Sequence, residues 1–234
     1  MSQISKKIQV VSFDGSIGSG KTTMMERVKK HYENNPNVIF ACEPVDKWSN
    51  IKDSNGTTIL NLFYKDQEQY AFSFQMMAYI SRLSGLREIA RANSDKKITI
   101  ITERSLYTDK YVFAKMLYDQ GKIKEVEYQI YLMWFDEFAK DFEVDNVIYI
   151  KTDPTKCYER IHTRAREGEE LIPLAYLEEC HKYHEEFLHP NSVLFRKQLI
   201  LDGNQDIFKN NNVVGDWIEQ IDAFIMPPCD LDCR

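Results

Sequence analysis

At 234 residues, 43% of them hydrophobic, the chain can bury one substantial core, which excludes disorder as its dominant state. Acidic residues outnumber basic ones 36 to 30, for a formal charge of −6, which argues against a broad cationic face for duplex DNA or an anionic membrane; any anion must be held by a local basic site. No apolar run approaches the roughly 18 to 20 residues that cross a bilayer.

Met1 to Lys7 is polar ahead of the apolar run at Ile8 and lacks the pattern of a secretory signal or organellar transit peptide, so the expected compartment is the cytoplasm. The five cysteines, Cys42, Cys157, Cys180, Cys229 and Cys233, are odd in number and follow no framework spacing, and they read as reduced, mostly packed thiols.

The first β-branched run, Ile8 to Phe13, predicts a buried strand, and Met24 to Tyr32 predicts a helix. Between them Gly15-Ser16-Ile17-Gly18-Ser19-Gly20-Lys21-Thr22 matches G-x-x-x-x-G-K-[ST] in its proper strand-to-helix setting, and Thr23 continues it. Such glycines let backbone N–H groups converge on phosphate oxygens, Lys21 can reach the β and γ phosphates, and the Thr22 hydroxyl can ligate Mg²⁺. A phosphate loop suits a GTPase, an ATP-driven machine or a small-molecule kinase equally. The chain has no Asn-Lys dipeptide, so the guanine-reading Asn-Lys-x-Asp motif is absent and the GTPase reading is weak.

The second strand, Val38 to Cys42, leads into Glu43-Pro44-Val45-Asp46-Lys47-Trp48, and a carboxylate at a strand's carboxyl end faces the ligand crevice of such sheets. Glu43 is therefore either a general base or a solvated loop residue. A long helix is expected over Asp66 to Asn93, with Gln75, Ala78 and Arg82 on one stripe; a buried glutamine and arginine need polar partners, which a bound base and Asp109 would supply. The third strand, Ile98 to Thr102, ends in Glu103-Arg104-Ser105, which reads as a Mg²⁺ contact beside an anion contact or as a plain charge pair.

A helical pattern continues over Leu106 to Asp141, where the aromatic-rich stretch Tyr128 to Phe138 reads as core. After the fourth strand, Val147 to Lys151, the helix Thr155 to Arg164 brings Arg160, Arg164 and Arg166 up to Gly168 and Glu169, either as a lid clamping phosphoryl charge or as a charged helix end in water. The helix Leu174 to Phe195 carries His181 and His184 one turn apart, read as ordinary helix residues; a fifth strand is expected at Leu199 to Leu201. Met226 to Arg234 reads as a flexible tail. Alternating strands and helices, with no repeat or linker, imply one unit built on a mostly parallel sheet covered on both faces.

Six motifs in this order, GSIGSGKT, EPVDKW, YKDQEQYAFSFQ, ERSLYTDKYVF, RIHTRAREGEELIPLAYL and LILDGNQDIF, resemble those of the deoxynucleoside kinases over about residues 8 to 210. The resemblance implies an α/β P-loop kinase fold with a five-stranded parallel sheet, helices on both faces and an ATP lid over about residues 160–173. It further implies ATP as phosphoryl donor, Mg²⁺, a deoxynucleoside acceptor and a homodimer. By matching position, Glu43 resembles the base acting on the nucleoside 5'-hydroxyl, with Arg104 beside it and Glu103 joining Thr22 at Mg²⁺. Tyr64 and Glu169 resemble the pair that holds the sugar 3'-hydroxyl, Gln75 the residue that reads the base edge, and Trp48, Phe72 and Phe113 residues that line or support the apolar walls. Arg160, Arg164 and Arg166 match the lid arginines, and Asp206 and Phe208 lie in the loop that the family places near adenine.

Ala78, Arg82 and Asp109 resemble the deoxycytidine and deoxypurine kinase set rather than the thymidine set. Lys65 to Tyr70, and Asp14 where glutamate is frequent, depart from the family pattern. Two other readings compete: a nucleoside monophosphate kinase, whose anionic acceptor Glu43 would repel, and a non-catalytic nucleotide-binding protein that has kept the fold.

Overall fold

A parallel strand covered on both faces carries apolar side chains on both sides, and β1 (Ile8–Asp14) has that character: Val10, Val11 and Phe13 are all buried. The computed structural model describes residues 7–164, 168–207 and 211–225, the side chain of Asn211 excepted. After β1 come α1 (Lys21–His31), β2 (Val38–Ala41), α2 (Val45–Ser49), α3 (Ile59–Lys65), α4 (Gln67–Ala92) and β3 (Ile98–Glu103). Next, α5 (Leu106–Thr108) runs through a π-helical turn, Asp109–Ala114, into α6 (Lys115–Asp119), followed by α7 (Glu125–Phe138). The remaining elements are β4 (Asn146–Lys151), α8 (Pro154–Arg164), α9 (Leu174–Phe187), β5 (Lys197–Asp202) and α10 (Asn211–Ile225).

The strands pair in the order β2-β3-β1-β4-β5, every pair parallel, with Val10 opposite Ile100 and Val11 opposite Asn146. Two apolar layers flank the sheet. One joins α4, α7 and α9 through Tyr79, Tyr131 and Leu177; the other joins α1 and α10 through Met24, Val28, Trp217 and Ile221. The expected five-stranded parallel sheet with helices on both faces is therefore what the chain forms.

Several boundaries differ from the sequence expectation. The single helical stretch over 106–141 is broken at Gly121, whose φ of 71° is a left-handed conformation that ends α6. α9 stops at Phe187, short of Pro190, instead of running to Phe195. α10 adds to the expected elements, although Val213, Trp217, Ile221 and Ile225 recur every fourth residue and are all buried. On α7, Tyr131 and Phe135 are core as expected, whereas Val126, Ile130, Met133 and Trp134 are exposed. Among the described cysteines, Cys157 and Cys180 are buried free thiols, and Cys42, which follows the edge strand, is a free exposed one. Cys229, Cys233 and the expected flexible tail lie outside the described residues. No described helix is long and apolar enough to cross a membrane.

Packing predicts a contrast between two substitutions. Ile100→Ala, at 0% exposure in the sheet's interior, should cost about 2–5 kcal/mol, while Val193→Ala, at 94% exposure, should stay within about 0.5 kcal/mol. Urea unfolding of both variants checks this, and similar losses would contradict the packing.

Candidate active site

All five strands run parallel, so their carboxyl ends share one rim, the edge where open α/β sheets hold ligands. β1 leads there into the glycine-rich loop, which is pressed against the rest of the fold. A Cβ at Gly15 (φ 148°) would stand 2.7 Å from the Ile150 carbonyl oxygen, and one at Gly18 (φ 80°) would stand 2.6 Å from that of Cys157. Ser16 Oγ and Ser19 Oγ are buried without a protein partner. Lys21 is buried, its Nζ donating to the Ser16 carbonyl at 2.8 Å. Burial, reinforced by Arg104, pulls its pKa down to about 8 against the opposing pull of Glu103 and Glu43. The ammonium thus stays mostly charged at neutral pH in a place where an added anion relieves its desolvation.

Thr22 Oγ1 donates to Glu103 Oε1 at 2.7 Å, so a hydroxyl and a carboxylate stand together at the loop's end. Among the described residues no group of three or more His, Cys, Asp or Glu side chains could hold a metal ion. A pair of hard oxygen donors beside a phosphate cradle suits Mg²⁺, which takes one or two protein ligands and completes its shell with phosphate and water.

The second cluster is built on strain. Arg104 is the one non-glycine residue among those described with positive φ (59°), held there as its N–H donates to the Phe13 carbonyl at 2.9 Å and its own carbonyl accepts from Thr102 Oγ1 at 2.8 Å. The turn sets its guanidinium 5.1 Å over the Phe113 ring and 2.6 Å from Glu43 Oε1. Arg82 Nη2 approaches the same oxygen at 3.5 Å, while its Nε donates to Asp109 Oδ2 at 2.9 Å and its Nη1 to the Glu103 carbonyl. Burial by itself would raise the Glu43 pKa, but Arg104, Arg82 and Lys21 outweigh it and hold the carboxylate below its ordinary range. Asp109 goes the other way: burial raises it despite Arg82.

These clusters line one cleft of about 540 Å³. Its apolar part is walled by Trp48, Phe63, Phe74, Ala78, Phe113 and Tyr176, with Phe63 and Phe74 stacked at 4.5 Å and Trp48 Nε1 donating to Ser81 Oγ. Gln75 reaches into it, and its buried Oε1 has no protein partner, an acceptor awaiting a donor. Tyr64 and Glu169 line it together, and Arg164 Nη2 lies 2.5 Å from Glu169 Oε2. Arg160 bridges the carbonyls of Ser19 and Gln205 at 3.3 and 3.4 Å, between the loop and a wall made of Asp206, Ile207 and Trp217.

Nearly every residue singled out from the sequence is brought together here. Ile17 to Thr23 line the cleft, whereas Gly15 and Ser16 do not. Phe72 is a correction: it is half-buried against the core and does not line the cleft. At 100° per residue the arc shared by Gln75, Ala78 and Arg82 continues through Phe74 and leaves Phe72 beside Tyr79. Arg166 and Phe208 lie outside the described residues. Phe63, Tyr176 and Trp217 are additions that no local spacing announced.

The family description "Deoxynucleoside kinase" matches residues 11–226. Similar relatives include deoxycytidine kinase 2 of Gallus gallus, 32% identical over 96% of this chain and 93% of its own length. Deoxyguanosine kinase, mitochondrial, of Xenopus laevis is 31% identical over 94% of this chain and 91% of its own length. Thymidine kinase 2, mitochondrial, of Homo sapiens is 34% identical over 82% of this chain and 68% of its own length.

Behind the Phe113 wall lies fully buried His184, its Nδ1–H donating to the Cys180 carbonyl at 2.7 Å and its ring parallel to Tyr149. Burial pulls its pKa from 6.5 down to about 3. Between those values the unfolded chain binds the extra proton, so stability rises with pH across the window and is lost as pH falls from about 6.5 toward about 3. Urea unfolding at stepped pH should show that loss, and His184→Phe should flatten it. An unchanged slope in the variant would contradict the buried neutral imidazole.

Proposed function

The chain belongs to the deoxynucleoside kinase family and is a kinase, and from that premise we propose that it transfers the γ-phosphoryl group of ATP to the 5'-hydroxyl of a 2'-deoxynucleoside in nucleotide salvage. The observation that carries this reading is Glu43, a part-buried carboxylate held below its ordinary pKa range by Arg104 and Arg82 in the same cleft as the loop lysine. An anionic acceptor such as a nucleoside monophosphate would meet that carboxylate directly, which disfavours a monophosphate kinase.

ATP bound in the cleft would supply the phosphoryl group, and a Mg²⁺ ion there would neutralise phosphate charge. In this reading Thr22 and Glu103 hold the ion, the loop N–H groups with Lys21 cradle the phosphates, and Arg160 and Arg164 oppose charge developing on the transferred group. Glu43, with its depressed pKa, is a weak base, which suits a loose transition state in which the 5'-hydroxyl proton leaves late. Tyr64 and Glu169 hold the sugar, and Gln75 reads the base between the Phe63, Phe74 and Phe113 walls. The whole chain acts as one unit.

The working assembly is a homodimer: Val126, Ile130, Met133 and Trp134 recur on one exposed side of α7, with Ile80 exposed on α4, a stripe that a second copy would remove from water. The compartment proposed is the cytoplasm, although two of the relatives named above carry the word mitochondrial.

Glu43→Gln keeps the shape and loses the base. It should lower kcat by about two orders of magnitude or more while nucleoside affinity stays within about threefold. Turnover near that of the unmodified protein across pH would reject Glu43 in this role.

For the base itself, Gln75 Oε1 and the Arg82-bound carboxylate of Asp109 form an acceptor-rich edge that favours an exocyclic amine. Thymine presents a carbonyl and a methyl group there instead, against Arg82. A coupled ADP-release assay on the four natural deoxynucleosides, with ATP and Mg²⁺, tests both the activity and this preference. Deoxycytidine or a deoxypurine should exceed thymidine by about a hundredfold in kcat/KM, and Arg82→Met with Asp109→Ala should admit thymidine. Thymidine equal to or better than the other three would overturn the base preference alone.

A further inference from the structure

Glu169 is approached from two elements. From α8, Arg164 pairs with it; from α3, contact is made one residue earlier, at Gly168. Gly168 has φ 86°, a left-handed conformation that leads into the 3-10 turn Glu169–Leu171 and buries Glu169 while Glu170 and Leu171 stay exposed. A Cβ at position 168 would stand 2.0 Å from Asn61 Oδ1 and 3.2 Å from Asn61 Cγ. The amide of Asn61 fills the space that a side chain at 168 would need, so the turn rests directly on α3.

Asn61 and Tyr64 are three residues apart on α3 and so share a face of that helix. One meets Gly168; the other lies close enough to Glu169 for its hydroxyl to feel the carboxylate's charge. Thr58 caps α3 by accepting from the Asn61 N–H at 3.3 Å, which sets Asn61 in the first turn. A single short helix therefore carries both the dock for the turn and the tyrosine that faces the turn's buried carboxylate.

We propose that Asn61 is a positioning residue for acceptor specificity: by docking Gly168 on α3 it holds Glu169 opposite Tyr64 and so sets the enzyme's demand for a 3'-hydroxyl on the nucleoside sugar. This rests on reading the cleft as a deoxynucleoside site. A loss of general stability would weaken all nucleosides alike; displacement of Glu169 penalises only those with a 3'-hydroxyl to lose.

The test is isothermal titration calorimetry, without phosphoryl donor, of the best acceptor among the four deoxynucleosides and its 2',3'-dideoxy counterpart. Asn61→Ala should weaken the deoxynucleoside about tenfold, the size of one lost hydrogen bond, and the dideoxynucleoside less than about twofold. Gly168→Ala, which drives a Cβ into the Asn61 amide from the other element, should show the same selective loss and serves where Asn61→Ala does not fold. Equal weakening of both ligands, or no change in either, would overturn the proposal. An unmodified protein that binds neither ligand would instead overturn the parent reading, and one that binds both equally would overturn this proposal while leaving the parent intact.

Discussion

The ion contact between Arg104 and Glu43 is the constraint on which the rest of the site depends. A buried carboxylate is costly unless it is paired and hydrogen-bonded, and breaking a buried pair leaves a stranded charge. Glu43 enters from the end of β2, Arg104 from the end of β3 and Arg82 from α4, and Arg82 passes the balance on to Asp109 in the π-helical turn. Three stretches of chain, at residues 43, 82 and 104–109, are thus locked by one alternating chain of charge. The strained backbone at Arg104 belongs to that lock, because the left-handed turn is what aims the guanidinium.

That chain also resolves the electrostatics of an acidic protein that must hold phosphates. Overall the molecule carries −6, yet Lys21, Arg82, Arg104, Arg160 and Arg164 all line a single cleft. Lys21 pays for burial with a pKa near 8, so incoming phosphate improves its surroundings. The loop can be this close to β4 and α8 only because Gly15 and Gly18 lack side chains. Phosphate binding and the packing of the sheet's rim are therefore parts of the same geometry.

The apolar half of the cleft is held more conventionally, by stacking and burial. Phe63 from α3 lies flat on Phe74 from α4, and Phe113 is backed by His184 of α9. Because α3 also carries Tyr64 and touches Gly168, one seven-residue helix contacts the aromatic wall of the cleft and the turn that carries Glu169 together. Its small size makes it sensitive to each of them.

What the sequence by itself determined were the features with a local period or fixed spacing. The phosphate loop, the buried strands and the Gln75, Ala78 and Arg82 stripe follow from hard-wired strand and helix geometry, and the structure has them where that geometry requires. The family motifs extended this to Glu43, Arg104 and Glu169. Helical phase already separates Phe74 from Phe72; tertiary structure alone decided that Tyr176 and Trp217 join the cleft from α9 and α10. It alone set the sign of the shifts at Glu43 and Asp109, since burial and neighbouring charge compete and the winner depends on distances across the fold. The left-handed turn at Arg104 and the contact of Gly168 with Asn61 arise from chain segments far apart in sequence, and no one-dimensional pattern encodes where such segments meet.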